Sequence, residues 1–340
     1  MLYNVVISYR LLPKERKMTL TELARLAYVS TSTASKAFSM SPEVSEQTRN
    51  MIFDIAKKHG AFKKFYRSEY PNCVIALICP EFDSSYYSAL ISAFQESLSS
   101  LNAELTVASW DFSHESIEKL LKYYDKYQTV DGIILINSPI PNTHSGAIPT
   151  VTVGRVSQGV RGDIDITLDQ ITAVREAVKH FKSAGVTDIG FIGDKYTGRR
   201  EKNLRAAIRE IIGEGADIAV SAKAEERFEA GGYAAMSSII ESGRVPRAIV
   251  CAYDRIAYGV MRAAADNGIK IPEELLLVGF DDAPASAYTT PALSSINHSI
   301  KESAEAASRA IISKIRGEEY DSDITISCPL VIRESMNCVK

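Results

Sequence analysis

Hydrophobic positions along the chain recur with two different periods, and the change of period divides it. Between Met18 and Gly60 the apolar residues fall at helical spacing: Leu20, Leu23, Ala24 and Ala27, then Ala34 and Ala37, then a third stretch from Val44 to Lys58. Thr19 or Thr21 can cap the first helix. Tyr28, Val29 and Ser30 interrupt it, and Thr31, Ser32 and Thr33 open the second. Ser45, with Thr48 nearby, opens the third, and Gly60 closes it. Three short helices with a tight turn between the first two predict a helix-turn-helix, whose second helix presents its first residues to base edges in the major groove.

Beyond Pro71 the pattern changes to short continuous apolar runs separated by amphipathic stretches. CVIALICP, ELTVAS, GIILI and TVTVG read as strands, with helices over 86–101 and 113–127 between them. After Gln170 the rhythm restarts with a helix to Gly185, then IGFIG, a helix over 201–212, DIAVS, a helix over 232–242, AIVCAY, a helix over 255–267, and LLLVGF. Apolar runs of this kind belong to parallel sheets covered on both faces. Two such halves predict paired doubly wound lobes with a ligand cleft at the carboxyl ends of the strands. A helix over 300–316 and the last strand would cross back between the lobes.

The expected fold is thus an all-α helix-turn-helix head joined to an α/β core of two doubly wound parallel-sheet lobes. The expected divisions are an extra segment over 1–17, the head over 18–60, a linker over 61–72 and the core over 73–340. Within the core, the first lobe takes about 73–157 plus 298–325 and the second about 158–297 plus 326–340. A length of 340 residues with 46% apolar content agrees with two or three folded units.

Charge sharpens the division. Residues 1–67 carry 12 Lys and Arg against 5 Asp and Glu, whereas the remainder carries 27 against 37. A basic head before an acidic body is the footprint of a phosphate-backbone binder, although a solvated charged helix gives the same count. No apolar stretch reaches the roughly 18 residues of a membrane helix, and the first ten residues lack a signal-peptide pattern. The five cysteines include no CxxC pair, which points to a reducing, cytoplasmic setting. The five histidines are scattered, and HExxH, GxxxxGK[ST] and GxSxG are all absent, so neither an enzyme nor a metal site nor a cofactor is expected.

The run MTLTELARLAYVSTSTASKAFSMSPEVSEQTRNMIFDIAKKHG resembles the LacI/GalR repressors, which share TLxxLAxxAxVSxxTxS(R/K) followed by SPxVSxxTRxxIxxxAxxxG. Similarity continues in PEFDSSYYSALISAFQESL, in ITLDQITAVREAVKHFKSAGVTDIGFIGD, and in IPEELLLVGFDDAPASAYTTPALSSI with the terminal PLVIRES. The resemblance implies a cytoplasmic homodimeric transcription repressor with no membrane association. It would grip double-stranded operator DNA and sense a small molecule, a sugar above all, in a periplasmic-binding-protein-like domain. On the DNA side it implies that Thr31 and Ser32 face base edges and that Lys36, where relatives usually have arginine, reaches a base or phosphate. Thr19, Ser30, Thr33, Ser35, Ser45 and Thr48 would stand along the phosphates, with Lys63, Lys64 and Arg67 following. Singly, each serine or threonine could as well be a helix cap or a solvated residue.

For the cleft, the resemblance implies a lining of Asp83, Tyr86 and Tyr87 from the first lobe and Arg155 near the crossover. Asp169, Tyr253, Asp254 and Asp281 would come from the second lobe, although Asp254 and Asp281 could also serve as caps. Several departures stand out. Tyr28 replaces the usual turn glycine, which suggests a turn that needs no positive φ. FKKFYRSEYPN lacks the family's hinge helix, leaving Phe65 or Tyr66 to wedge between bases. Asn203 stands where relatives carry an effector-clamping arginine, with Arg199, Arg200 or Arg205 as substitutes, and Tyr253 replaces a frequent asparagine. Met18 reads as the natural start, or 1–17 as an arm, and no leucine heptads for tetramerisation follow VIRES. Two other readings share the lobes: control by a partner protein, and a solute-binding protein without a regulatory role.

Overall fold

The structure is a computed structural model that describes residues 18–65, 73–127, 129–141, 146–154 and 162–337. The head contains α1 (Leu20–Leu26), α2 (Thr31–Phe38), α3 (Glu46–Lys58) and a single-turn α4 (Phe62–Phe65). Leu23, Ala27, Ala37, Phe38, Val44, Ile52 and Ala56 form its core, which includes Leu23, Ala27 and Ala37 from the helically spaced positions of α1 and α2. Phe62 and Phe65 pack onto this core, their ring centroids 5.8 and 5.6 Å from that of Phe38. The head therefore extends to residue 65, beyond the expected boundary at 60, and the Phe65 ring belongs to its core rather than standing free as a wedge. Tyr66 lies outside the described residues. The turn after α1 also departs from expectation: Tyr28 adopts the left-handed backbone itself, with φ 52°.

The body has β1 (Cys73–Cys79), α5 (Ser85–Ser100), β2 (Ala103–Ser109), α6 (His114–Tyr127), β3 (Gly132–Ile136), β4 (Thr150–Val153) and β5 (Ile164–Asp169). It continues with α7 (Gln170–Ser183), β6 (Ile189–Gly193), α8 (Gly198–Ile211), β7 (Ser221–Lys223), α9 (Phe228–Glu241), β8 (Ala248–Cys251), α10 (Asp254–Asp266) and β9 (Leu276–Asp281). The last elements are β10 (Ser294–Asn297), α11 (Ile300–Arg316), β11 (Asp323–Ser327) and β12 (Leu330–Val331). One sheet runs β11-β5-β4-β3-β1-β2 and is wholly parallel. The second runs β12-β10-β9-β8-β6-β7, parallel except where β12 pairs antiparallel with β10.

Three segments join the lobes: β5 into α7, β10 into α11, and β11 into β12. Because β5 pairs with β4 and β11, the first lobe reaches Asp169 instead of ending near 157. In β5, Ile164, Ile166 and Leu168 are buried and alternate with Asp and Thr, so no continuous apolar run marks the strand. DIAVS was expected as a strand over 217–221, but the pairing runs over β7 instead, because this edge strand is shifted toward the residues that reach Phe191, Ile192 and Gly193. Among the described residues no helix is long and apolar enough to cross a membrane.

Candidate ligand cleft and nucleic-acid interface

Local hydrogen bonding sets the outer face of the head. Thr19 and Glu22 form a reciprocal capping box on α1. The Ser30 hydroxyl caps α2 by accepting from the Thr33 amide (2.9 Å), and Ser45 caps α3 by accepting from the Thr48 amide (3.2 Å). Each capping hydroxyl also lies 2.8 Å from a threonine hydroxyl, Thr33 and Thr48 respectively. Both helix N-termini thus carry solvent-facing hydroxyls at the positive end of the helix dipole, an arrangement that accepts phosphate oxygens. Thr31, Ser32 and Ser35 stand exposed on α2.

Lys36 pairs with Glu43 across the following loop. The same loop is held by Arg49, whose Nη2 donates to the carbonyls of Ser41 (2.8 Å) and Val44 (3.1 Å). Lys63 and Lys64 fall in α4, and Arg67 lies outside the described residues.

A cavity of about 960 Å³ lies between the lobes. Of the expected cleft residues it brings together Tyr86, Tyr87, Asp169, Asn203, Tyr253 and Asp281, with Arg199 and Arg200 beside them. Arg155 lies outside the described residues. Two others stand elsewhere. Asp83 is exposed, and it is its backbone carbonyl that meets Arg255 Nη1, at 3.3 Å. Asp254 is fully buried behind the cleft, where its carboxylate accepts from Ser286 Oγ (2.6 Å), Ser295 Oγ (2.6 Å) and the Ala283 amide (2.8 Å). Burial, followed by the charge of Asp281, pushes its carboxyl up to about 7.

The cleft floor is built around Arg200. Its guanidinium stacks on Tyr253 (5.0 Å to the centroid) and Phe280 (4.6 Å), donates to the Ala252 carbonyl, and lies 3.1 Å from His298 Nε2 and 3.8 Å from Asp281 Oδ1. His298 Nε2 is 3.2 Å from the same Asp281 oxygen, and its Nδ1 is 3.3 Å from Gln170 Nε2. Burial above all depresses the imidazole pKa, which favours the neutral ring. Arg200 precedes Asn203 by one helical turn, so both side chains emerge on one side of α8. Of the arginines offered as substitutes, Arg199 and Arg200 both line the cavity, and Arg200 holds its floor. Arg205 is engaged outside it by Glu201 and Asp217.

The cleft mouth contains residues that no motif singled out. Arg227, just before α9, forks onto Glu81, two residues beyond β1, with Nη2 to Oε1 at 2.9 Å, and its Nε lies 3.3 Å from Asp194. Beside this pair, the rings of Phe112 and Tyr196 stack with centroids 4.1 Å apart and planes 17° apart. All of these sit in connections between strands and helices, where neither period leaves a signal; only the position of such loops at the carboxyl ends of the strands could have pointed to them.

Residues 19–61 match the family model described as bacterial regulatory proteins, lacI family, and residues 178–336 match the periplasmic binding protein-like domain. HTH-type transcriptional regulator DegA of Bacillus subtilis is 26% identical, the alignment covering 94% of this chain and 98% of that protein. HTH-type transcriptional repressor CytR of Escherichia coli is 25% identical over 95% and 97%. Among solved structures, a transcriptional regulator CelR-cellobiose complex superposes with a TM-score of 0.67 at 23% identity, covering 94% of this chain and 99% of that one. A lac repressor dimer bound to operator and the anti-inducer ONPF superposes with a TM-score of 0.70 at 17% identity, over 95% and 100%. The helix-turn-helix head, the two-lobed core and relatives aligned along nearly the whole chain place this protein in the LacI family of bacterial regulatory proteins, a family of transcription regulators and not of enzymes.

Proposed function

We propose that this regulator is a cytoplasmic homodimeric repressor whose two heads read the half-sites of an operator and whose operator affinity is set by a small polyhydroxylated molecule held between the lobes. The observation that carries this reading is the pairing, in one chain, of an exposed, hydroxyl-rich, capped α2 with an aromatic and polar cleft between two lobes. In the cleft, Tyr86, Tyr253, Asn203 and Gln170 offer neutral hydrogen-bonding groups next to aromatic faces, a combination that matches hydroxyls above and the apolar face of a sugar ring below. Thr31 and Ser32 would face the bases, while Ser30, Thr33, Ser45 and Thr48 would hold phosphates. The relative solved with cellobiose supports the ligand class, and the one solved with operator supports the dimer on DNA.

The test is a thermal-shift screen of the purified full chain against neutral sugars, sugar acids and nucleosides, followed by fluorescence anisotropy on an operator selected from random duplexes. A ligand at 100 times its Kd stabilises by about 2.7 kcal/mol, and a true effector also changes operator affinity. A ligand that binds the cleft yet leaves operator affinity unchanged at saturation would refute effector control.

A further inference from the structure

We propose that Glu81, Arg227, Phe112 and Tyr196 form a latch that holds the two lobes closed and gates access to the cleft. Glu81 and Phe112 belong to the first lobe, Arg227 and Tyr196 to the second, so both the ion pair and the ring stack cross the cleft. The two contacts support one another, because the Arg227 guanidinium lies 5.6 Å from the Phe112 centroid and 5.3 Å from that of Tyr196. The Phe228 ring also lies against it, its centroid 4.4 Å from the guanidinium.

Arg227 retains 25% side-chain exposure and Glu81 14%, so both charges are largely withdrawn from water; Glu81 is compensated by Arg227, whereas Arg227 also has Asp194 of its own lobe at 3.3 Å. Removing Arg227 leaves the Glu81 carboxylate stranded in the closed state but free to hydrate in the open state, and removing Glu81 takes away the one charge that Arg227 meets across the cleft. A single substitution therefore displaces the equilibrium toward opening. The first-lobe ring is also held in place at a cost: Asp111 and Phe112 are consecutive non-glycine residues with φ 52° and 51°, a backbone that side chains avoid and that turns Phe112 toward Tyr196. With centroids 4.1 Å apart the rings leave no room for a ligand between them, so entry past this edge requires the latch to part. That last consequence rests on the cleft being the effector site; the latch itself does not.

The chain contains one tryptophan, and it reports on this edge. Trp110 is 5% exposed, lines the cavity, and lies 5.9 Å ring to ring from Phe112. Its emission and acrylamide quenching, measured on the ligand-free full-length protein, therefore read latch opening without DNA or effector. Glu81→Arg, which sets two guanidinium groups against each other across the cleft and leaves the Arg227–Asp194 contact in place, should red-shift the emission and raise quenching several-fold, whereas Glu81→Asp, which keeps the charge, should stay closer to the starting values. Glu81→Gln serves if the reversal fails to fold, with the same expected direction. Folded Glu81→Arg or Glu81→Gln with unchanged Trp110 emission, or Glu81→Asp as open as Glu81→Arg, would overturn the latch. Either result leaves effector control of operator affinity to be decided by its own experiment.

Discussion

Tyr28 holds a left-handed backbone while 96% of its surface faces solvent, so its side chain offsets little of the strain. That conformation costs a non-glycine residue about 1–2 kcal/mol, whereas glycine's extra freedom in the unfolded chain costs about 0.5–1 kcal/mol. Tyr28→Gly should therefore stabilise the head by up to about 1 kcal/mol, and Tyr28→Val, branched at Cβ, should destabilise it. Amide exchange at Leu23 and Ile52, both fully buried in the head, measures this directly, and slower exchange in the valine variant would refute it.

Asp254 illustrates the opposite case, a residue whose chemistry is hidden by burial. Its carboxyl titrates near 7 in the fold against 3.8 ordinarily, so the fold favours the neutral acid. This stabilisation is complete below about pH 4 and is lost as pH rises through about 7. The melting-temperature difference between wild type and Asp254→Asn should accordingly fall between about pH 4 and pH 7 and level off above that, and a flat difference throughout would show that the fold does not favour the neutral acid. The sequence offered Asp254 as a cleft residue or as a helix cap, and it is neither: Tyr253 holds the cap position of α10, and Asp254 is a buried anchor. Its anchoring partners Ser286, Ser295 and Ala283 are brought to it by tertiary structure alone.

Among the elements, α9 and α10 approach so closely that glycine is required between them. A Cβ on Gly259 would lie 2.0 Å from the Glu229 carbonyl oxygen, and one on Gly232 would lie 2.2 Å from that of Ile256. Backbone cannot yield as a flexible side chain can, so Gly259→Ala should cost at least about 1–3 kcal/mol, read as a lower midpoint of urea unfolding. Strongly periodic elements such as α2, α3 and α11 were legible, with the Ser45 cap of α3, as were the central strands β1, β3, β6, β8 and β9. The edge and crossover strands β5, β7, β10 and β11 were not, because they are short or alternating and their neighbours in space are remote in sequence. α8 begins at Gly198, three residues before the expected start at Glu201, and that extra turn is what carries Arg199 and Arg200 to the cleft.

For the molecule as a whole, the two-lobed architecture and the DNA-reading head could be anticipated from period and charge, while the closure of the cleft could not. Glu81 and Arg227 meet across the gap between lobes, and no local pattern records such a meeting. The crossovers carry a further consequence, for the order in which the protein can assemble during synthesis. Sheet and helices from Gln170 to Asn297 form one uninterrupted stretch that needs only the two residues of β12 to complete its sheet. The first lobe is different: β5 pairs Thr167 with Thr325, and α11 packs against α5 and the first sheet. At roughly 5–20 residues per second, β5 waits on the order of ten seconds or more for its partner to emerge. During that interval it is an unprotected edge, and the lobe translated first is the one finished last.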